Sequence, residues 1–336
     1  MKTKILFIER KFWEFVSIEK VFRTIAEKLS KDKYEFSFQQ MPHGNHFFDV
    51  IKNLIFFRKK KSDIYHVTGH IHYISLILPP DRTILTIHDL GFLHRRKGLR
   101  RFTLKKLLLD LPVKRLRYIT AVSEATKKEI IEKTGCDEKK IQIVENPVQE
   151  IFFTLKEKPF NRLNPTILQI GTSANKNLEN IIKALNGVSC RFKIIGRLNE
   201  DLISLLTENE IYYENRFDLN DEEIRTEYFE ADIVVFCSKY EGFGLPIIEA
   251  QAMKKPVVTS NISPLKEVSG GAAYLANPDD YLNIREGMIK IINNESYRNE
   301  IVKKGSKNVE RFRPENIAKI YENIYKNLNS STEEKI

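Results

Sequence analysis

Residues 239–252 read KYEGFGLPIIEAQA, in which Glu241 and Glu249 are separated by a Gly-x-Gly turn, a proline and an apolar run. Gly242 and Gly244 let the backbone turn tightly and approach a ligand, and Pro246 suits the first turn of a helix. The free N–H groups of such a helix start, together with the positive end of its dipole, make an anion site sized for a phosphate or diphosphate. Glu249 lies three residues beyond Pro246, where its carboxylate can accept two hydrogen bonds from a vicinal diol such as a ribose. Glu241 stands before the turn, so the spacing suits one acid near a sugar at one end of a diphosphate and one near the ribose at the other. The same residues also fit a surface loop followed by an amphipathic helix with solvated acids, because a lone Gly-x-Gly turn is a weak motif.

The elements around this segment would place it at a strand end. Short β-type runs alternate with helical patterns throughout, which predicts α/β layering with mainly parallel sheets. In the first half the expected strands are 4–8, 34–39, 64–67, 83–88, 118–122 and 141–144, with helices such as 17–29 and 124–134, the latter capped by Ser123. Residues 156–165, KEKPFNRLNP, read as a linker. A second alternation follows, with strands 166–170, 192–195, 233–236 and 256–259 and helices 178–185, 221–228 and 246–253. From 279 to about 328 the pattern is helical, broken near Arg313-Pro314. Two doubly wound domains in tandem are expected to face a cleft, and open parallel sheets bind ligands at the carboxyl ends of their strands.

A chain of 336 residues with 42% hydrophobic content is long enough for two cores. No run of about twenty apolar residues is present, so no transmembrane helix is expected. The start, MKTKILFIERKF, reads as a first strand rather than a signal peptide. Cys136, Cys190 and Cys237 are far apart and form no CxxC, which argues against a disulfide framework or a structural zinc site and for a cytoplasmic location. Residues 1–150 carry 30 Lys+Arg against 18 Asp+Glu, a net of +12, and the remainder carries 25 against 27, a net of −2. Such asymmetry points to one domain facing an anionic partner, whether nucleic acid, an anionic membrane surface or an acidic substrate.

Glu241-Gly-Phe-Gly-Leu-Pro-Ile-Ile-Glu249-Ala, followed by PVVTSN (256–261) and EVSGGAA (267–273), closely resembles the donor-site signature of family 4 retaining glycosyltransferases, the group 1 glycosyl transferases of GT-B fold. TILTIHDLGFL (83–93), ITAVSEATKKEI (119–130), IQIVENPV (141–148) and LQIGTSANKNLENIIKAL (168–185) match family segments in the same order. The resemblance implies an acceptor-binding domain at 1–155, a nucleotide-sugar donor domain at 160–310, and a final helix at 311–330 crossing back to the first domain. It places Glu241 near hydroxyls of the transferred sugar, Glu249 on the nucleotide ribose, and the backbone of Gly242, Phe243, Gly244 and Leu245 around the diphosphate. Lys176 matches a lysine that neutralises the leaving diphosphate. Thr172 stands where many relatives carry an arginine. The first loop, ERKFWEFVSIEK (9–20), lacks the paired glycines common in the family. His88, at a strand end before Asp89 and Gly91, matches a histidine that contacts the donor sugar.

All seven histidines lie in the first half. HVTGHIHY (66–73) invites a metal reading, but His66, His70 and His72 are not in an HExxH frame, and lining of the acceptor cleft or ordinary packing is expected instead. No Asp-x-Asp motif accompanies them, so no metal or other cofactor is expected beyond the nucleoside-diphosphate sugar itself. Between Arg95 and Lys106 seven cations mix with Leu99, Phe102 and Leu104. This segment reads as a peripheral contact with an anionic membrane, against a simply solvated face. No nucleic-acid module accompanies the charge. The expected activity is retaining transfer of a UDP- or GDP-linked sugar to a glycan or lipid-linked saccharide in bacterial O-antigen, capsule or lipopolysaccharide synthesis. Two other readings remain: a sugar-nucleotide epimerase of the same architecture, and a membrane-associated scaffold that binds nucleotide or glycan without turnover.

Overall fold

A computed structural model of the chain describes residues 2–11, 17–44, 46–94, 98–153 and 158–333. It divides into two compact units, one of residues 1–147 with the segment from Pro314 onward, the other Val148–Arg313.

The first unit contains strands β1 (Thr3–Glu9), β2 (Tyr34–Gln40), β3 (Ile64–Val67), β4 (Thr83–Ile87), β5 (Tyr118–Ala121) and β6 (Ile141–Ile143). They form one parallel sheet in the order β2-β1-β3-β4-β5-β6. Central strands β3 and β4 are buried along their whole length, as expected where helices cover both faces of a parallel sheet. The helix Ser17–Glu27 buries Val21, Phe22, Ile25 and Ala26 at helical spacing. In helix Glu124–Thr134 the Ser123 hydroxyl accepts the Thr126 N–H at 3.1 Å, and Gly135 ends it with φ +66°. The C-terminal helix Pro314–Glu333 packs on this unit through Tyr321 and Tyr325, both buried.

The second unit contains β7 (Thr166–Ile170), β8 (Arg191–Ile195), β9 (Tyr213–Arg216), β10 (Ile233–Phe236), β11 (Val257–Ser260) and β12 (Tyr274–Ala276). All neighbours are parallel, in the order β12-β11-β10-β7-β8-β9. Read from the other edge this is the doubly wound 3-2-1-4-5-6 order, and its direction reverses between β7 and β10. Ile167, Leu185, Phe192, Ile194, Ile233, Val235 and Val258 form the centre of the core.

Strands β9 and β12 were not expected from the sequence, and they are the two edges of this sheet. β9 reads YENR, which shows no apolar run or alternation, and β12 is only three residues, YLA, too short to read as a strand. The helix expected to open at Pro246 begins one residue earlier, at Leu245. Helices Phe47–Phe56 and Glu200–Glu208 were also unforeseen.

Candidate active site

In the second unit the sequence motifs meet at the carboxyl ends of β7 and β10, the two strands that flank the reversal of strand order. The loop after β7 begins at Gly171, whose N–H bonds the Ile195 carbonyl at 2.7 Å with φ +88°. A Cβ there would lie 2.9 Å from the Lys176 side chain, so glycine is what lets the lysine stem fold back across the turn. Lys176 then reaches the loop after β10. Its ammonium donates to Glu241 Oε1 at 2.7 Å and sits 4.5 Å above the Phe236 ring. Asn175 Nδ2 donates to the same Oε1 at 3.3 Å and to the Tyr240 carbonyl at 3.1 Å. Lysine and carboxylate are 20% and 14% exposed, shielded enough for the pair to hold its geometry while still reachable from solvent.

Asn177 fastens the two loops together. It adopts φ +60°, and its side-chain amide donates to the Cys237 carbonyl at 2.9 Å and the Pro278 carbonyl at 2.7 Å. Gly244 opens the helix Leu245–Ala252 with φ +117°, and a Cβ on it would stand 2.7 Å from Leu265 Cδ2. Only glycine fits there, which leaves the helix start bare of side chain. Gly242 and Leu245 are half-buried. Phe243 is buried edge-on against Phe312 at 5.7 Å, so its side chain anchors the turn.

Glu249 lies on that helix and is half-buried. The Tyr228 hydroxyl donates to its Oε2 at 2.6 Å, and burial, then the charge and hydrogen bond of Glu249, hold the phenol well above its usual pKa. Tyr228 is thus a fixed donor orienting the carboxylate. It sits 21 residues upstream in a different helix, Asp221–Glu230, so no local spacing could have revealed it. Thr172 turns toward the neighbouring strand, its hydroxyl donating to the Arg197 carbonyl at 2.7 Å.

In the first unit His88 follows β4, 6% exposed. Its Nε2 lies 2.9 Å from the Thr68 carbonyl, which can only accept, so Nε2 carries the proton and Nδ1 keeps a lone pair. Burial first, then the neighbouring His70, lower its pKa to about 3, and the imidazole is neutral at physiological pH. Asp89 beside it accepts the Gly91 N–H at 2.7 Å and stands 3.5 Å from His70. Burial alone would raise the Asp89 pKa, but the hydrogen bond and charge of His70 outweigh it and hold the carboxyl well below the usual range.

The other histidines divide by environment. His66 is a core residue, bonded to Tyr325 at 2.8 Å and Thr86 at 2.7 Å, its pKa lowered by burial to about 3. His72 Nδ1 bonds the Leu108 carbonyl at 2.7 Å. That carbonyl lies four residues before Pro112, which has no N–H to give it, and within the π-helical turn Lys106–Asp110. His72 Nε2 is buried with no partner. Among the described residues no group of three or more His, Cys, Asp or Glu is arranged to hold a metal ion.

Glu9, at the carboxyl end of β1, was read from the sequence only as a charge that breaks an apolar run. It is fully buried, paired with Arg23 at 2.9 Å, and its Oε1 has no partner. Burial, partly opposed by Arg23, raises its pKa to about 7. The remainder of that loop, 12–16, lies outside the described residues, as do Arg95, Arg96 and Lys97 of the basic segment. Within helix Gly98–Lys105, Leu99 and Phe102 are 80% and 62% exposed. No described helix is long and apolar enough to cross a membrane.

A separate hollow of about 670 Å3, lined by Asn164, Asn186, Glu208 and Tyr212 among others, opens at the amino ends of β7, β8 and β9. None of the motif residues reaches it, and parallel sheets bind at the other end.

The O-antigen chain mannosyltransferase RfbU of Salmonella typhimurium is 29% identical over 206 residues, 58% of this chain and 57% of that protein. The capsular polysaccharide biosynthesis glycosyltransferase CapM of Staphylococcus aureus is 28% identical over 248 residues, 65% of this chain and 63% of that protein. The chain thus spans about three-fifths of the length of each. The crystal structure of Anabaena HepE in complex with UDP and glucose superposes with a TM-score of 0.78 at 16% identity, covering 96% of this chain and 99% of that one. WaaG, a glycosyltransferase involved in lipopolysaccharide biosynthesis, superposes at 0.73 with 12% identity, covering 94% and 99%. These likenesses show the GT-B fold. The family model "Glycosyltransferase Family 4" matches residues 22–150 and "Glycosyl transferases group 1" matches 152–308, so that the chain belongs to the family 4, group 1 glycosyltransferases.

Proposed function

We propose that the protein transfers a sugar from a nucleoside-diphosphate sugar, UDP- or GDP-linked, to a hydroxyl of a glycan or lipid-linked saccharide in bacterial surface-polysaccharide synthesis. The observation that carries this reading is the Lys176–Glu241 pair beside the glycine-opened helix start, at the strand-order reversal of the second sheet. Diphosphate oxygens suit the helix N–H groups and the Lys176 ammonium, and the ribose diol suits Glu249 as held by Tyr228. Glu241 Oε1 takes both Lys176 and Asn175, and Oε2 is the atom we assign to a hydroxyl of the transferred sugar. The names of RfbU and CapM support a polysaccharide acceptor.

In the reaction the bond from the sugar C1 to the diphosphate oxygen breaks and a bond from C1 to the acceptor oxygen forms. The acceptor proton passes to the departing diphosphate, whose growing negative charge is met by Lys176 and the helix start. Front-face departure of this kind retains the anomeric configuration and needs no enzyme nucleophile. With cationic neutralisation supplied by the chain, we propose transfer without a metal. His88, neutral and with Nδ1 as acceptor, suits a hydrogen bond from a saccharide hydroxyl rather than proton donation. The three unbridged cysteines fit a cytoplasmic site of action.

The test is release of nucleoside diphosphate from UDP- and GDP-sugars in the presence of saccharide acceptors, with the product anomer read by NMR and EDTA added in parallel. One donor series turns over, EDTA leaves the rate unchanged, and Lys176→Ala and Glu241→Ala abolish transfer while remaining folded. Near-normal transfer by both variants would sink the site assignment, and nucleotide binding without release from any donor would favour a non-catalytic scaffold.

A further inference from the structure

The helix Phe47–Phe56 buries Val50 and Asn53 and packs Leu54 against the core, yet it carries a second apolar face on the outside. Phe48, Ile51, Ile55 and Phe56 are 74%, 40%, 55% and 59% exposed, and with Lys52 they occupy one face at helical spacing. Asn53 is wholly buried on the opposite face. Its side-chain amide donates to the Tyr73 hydroxyl at 2.8 Å and to the His43 and Gly44 carbonyls at 3.2 Å, while its carbonyl oxygen accepts the His43 N–H at 3.1 Å. Both ends of its amide are therefore engaged by the protein, which fixes the rotation of the helix about its axis. The outer side of a water-facing helix would be polar, and a contiguous apolar stripe on a folded surface marks a contact face.

What covers this face is indicated by its charge. From 50 to 62 the chain has no acid, and the helix leads directly into Arg58, Lys59, Lys60 and Lys61, all exposed. The turn His72–Ile77 packs against this helix on one side and the Lys106–Asp110 segment on the other, with Ile77 itself 38% exposed. The Lys106–Asp110 segment continues directly from helix Gly98–Lys105, which carries exposed Leu99 and Phe102 among Arg100 and Arg101. Aliphatic and phenyl side chains flanked by lysine and arginine complement the boundary between acyl chains and anionic headgroups.

We propose that the outer face of helix Phe47–Phe56, with the basic run 58–61, seats the first unit on an anionic lipid bilayer. It goes beyond the donor-site reading and involves none of its residues. The sequence pointed to Arg95–Lys106 for such a contact, and the proposal centres it instead on a helix that the sequence reading passed over.

The experiment is co-sedimentation of the full chain with vesicles of phosphatidylglycerol mixed into phosphatidylcholine and with vesicles of phosphatidylcholine alone. The protein binds the anionic vesicles and leaves them as salt rises from about 0.05 to 0.5 M, where screening shortens the reach of surface charge. Ile51→Ser/Ile55→Ser/Phe56→Ser and Lys59→Gln/Lys60→Gln/Lys61→Gln each bind at least about tenfold more weakly, as expected when apolar insertion or headgroup attraction is removed. All six positions are exposed, so both variants keep the wild-type melting temperature and nucleotide response. Absence of binding to anionic vesicles would overturn the proposal, as would wild-type binding by both variants. A dimer in light scattering that the serine variant converts to monomer, without vesicle binding, would assign the face to a second copy instead. Vesicle partitioning does not depend on transfer, so a failure of the donor-site reading leaves this result standing.

Discussion

Lys176 and Glu241 form a 2.7 Å ion pair carried by two different loops, and on the proposed reading a substrate phosphate beside them would meet a cation already positioned. Replacing Lys176 by alanine should lower kcat by about 100-fold or more, the loss typical of one preorganised group at developing charge. Steady-state kinetics with saturating donor checks this, and a change confined to KM would remove Lys176 from the departure step. Tyr228 acts through another residue, holding Glu249 Oε2 at 2.6 Å. Tyr228→Phe should raise KM for the nucleotide sugar roughly tenfold with kcat nearly unchanged, since one hydrogen bond to a charged group is lost. Equal falls in kcat and kcat/KM would show that Tyr228 serves the reacting centre rather than the ribose end. Of these residues, Lys176, Glu241 and Glu249 were legible because they lie inside contiguous motifs. Tyr228 and Asn177 were not, since their importance comes from partners 21 and 60 residues away.

At the scale of elements, the glycine-opened helix Leu245–Ala252 and the Asn177 tie decide where those side chains stand. Gly244→Ala combines a strained φ of +117° with a close contact to Leu265, and should destabilise the second unit by about 1–3 kcal/mol. Urea unfolding measures the loss, and a stability equal to wild type would show that the turn can rearrange. Asn177→Ala leaves the Cys237 carbonyl without this donor, at a cost of about 1–3 kcal/mol by the same measurement, while the Pro278 carbonyl keeps the Asn180 amide at 2.8 Å. The strands of both sheet centres were legible, β3, β7 and β10 to the residue, because burial on both faces demands continuous apolar runs such as IVVF. Edge strand β9 escaped notice because one side of an edge strand meets no neighbour, so YENR need not be apolar, and β12 because three residues, YLA, are too few to show a pattern. Helix Phe47–Phe56 was missed for a related reason. Its outward apolar face breaks the amphipathic rule by which helices are read from sequence.

For the molecule as a whole, charge and titration follow the division into two units. By the observed boundaries the first unit holds 33 Lys+Arg against 21 Asp+Glu and the second 22 against 24, so the excess of +12 lies wholly in the first. All seven histidines lie there too. Burial lowers His66 and His88 to about 3 and His72 to about 4, below the ordinary 6.5. A histidine with a depressed pKa contributes stability that is fully present above the unfolded value and is lost as pH falls toward the folded one. At pH 5 each forfeits on the order of 2 kcal/mol. Glu9, raised to about 7, works in the opposite sense, its contribution present below the unfolded carboxylate pKa and lost as pH rises through 7. Three histidines outweigh one glutamate, so the first unit should lose stability between pH 7 and 5 while the second changes little. Amide hydrogen exchange resolved by segment checks this, and equal loss in both units would contradict it. The proposed donor site of the second unit is the centre of the account, and nucleotide binding by the whole chain tests it most directly. Thermal melting with UDP, GDP, ADP and CDP sugars should show one series raising Tm, because a ligand at about 100 times its Kd adds about 2.7 kcal/mol to the folded state. The same ligand should give no shift with Glu249→Ala. An unshifted Tm with every nucleotide, or a shift that Glu249→Ala leaves intact, would contradict the assignment.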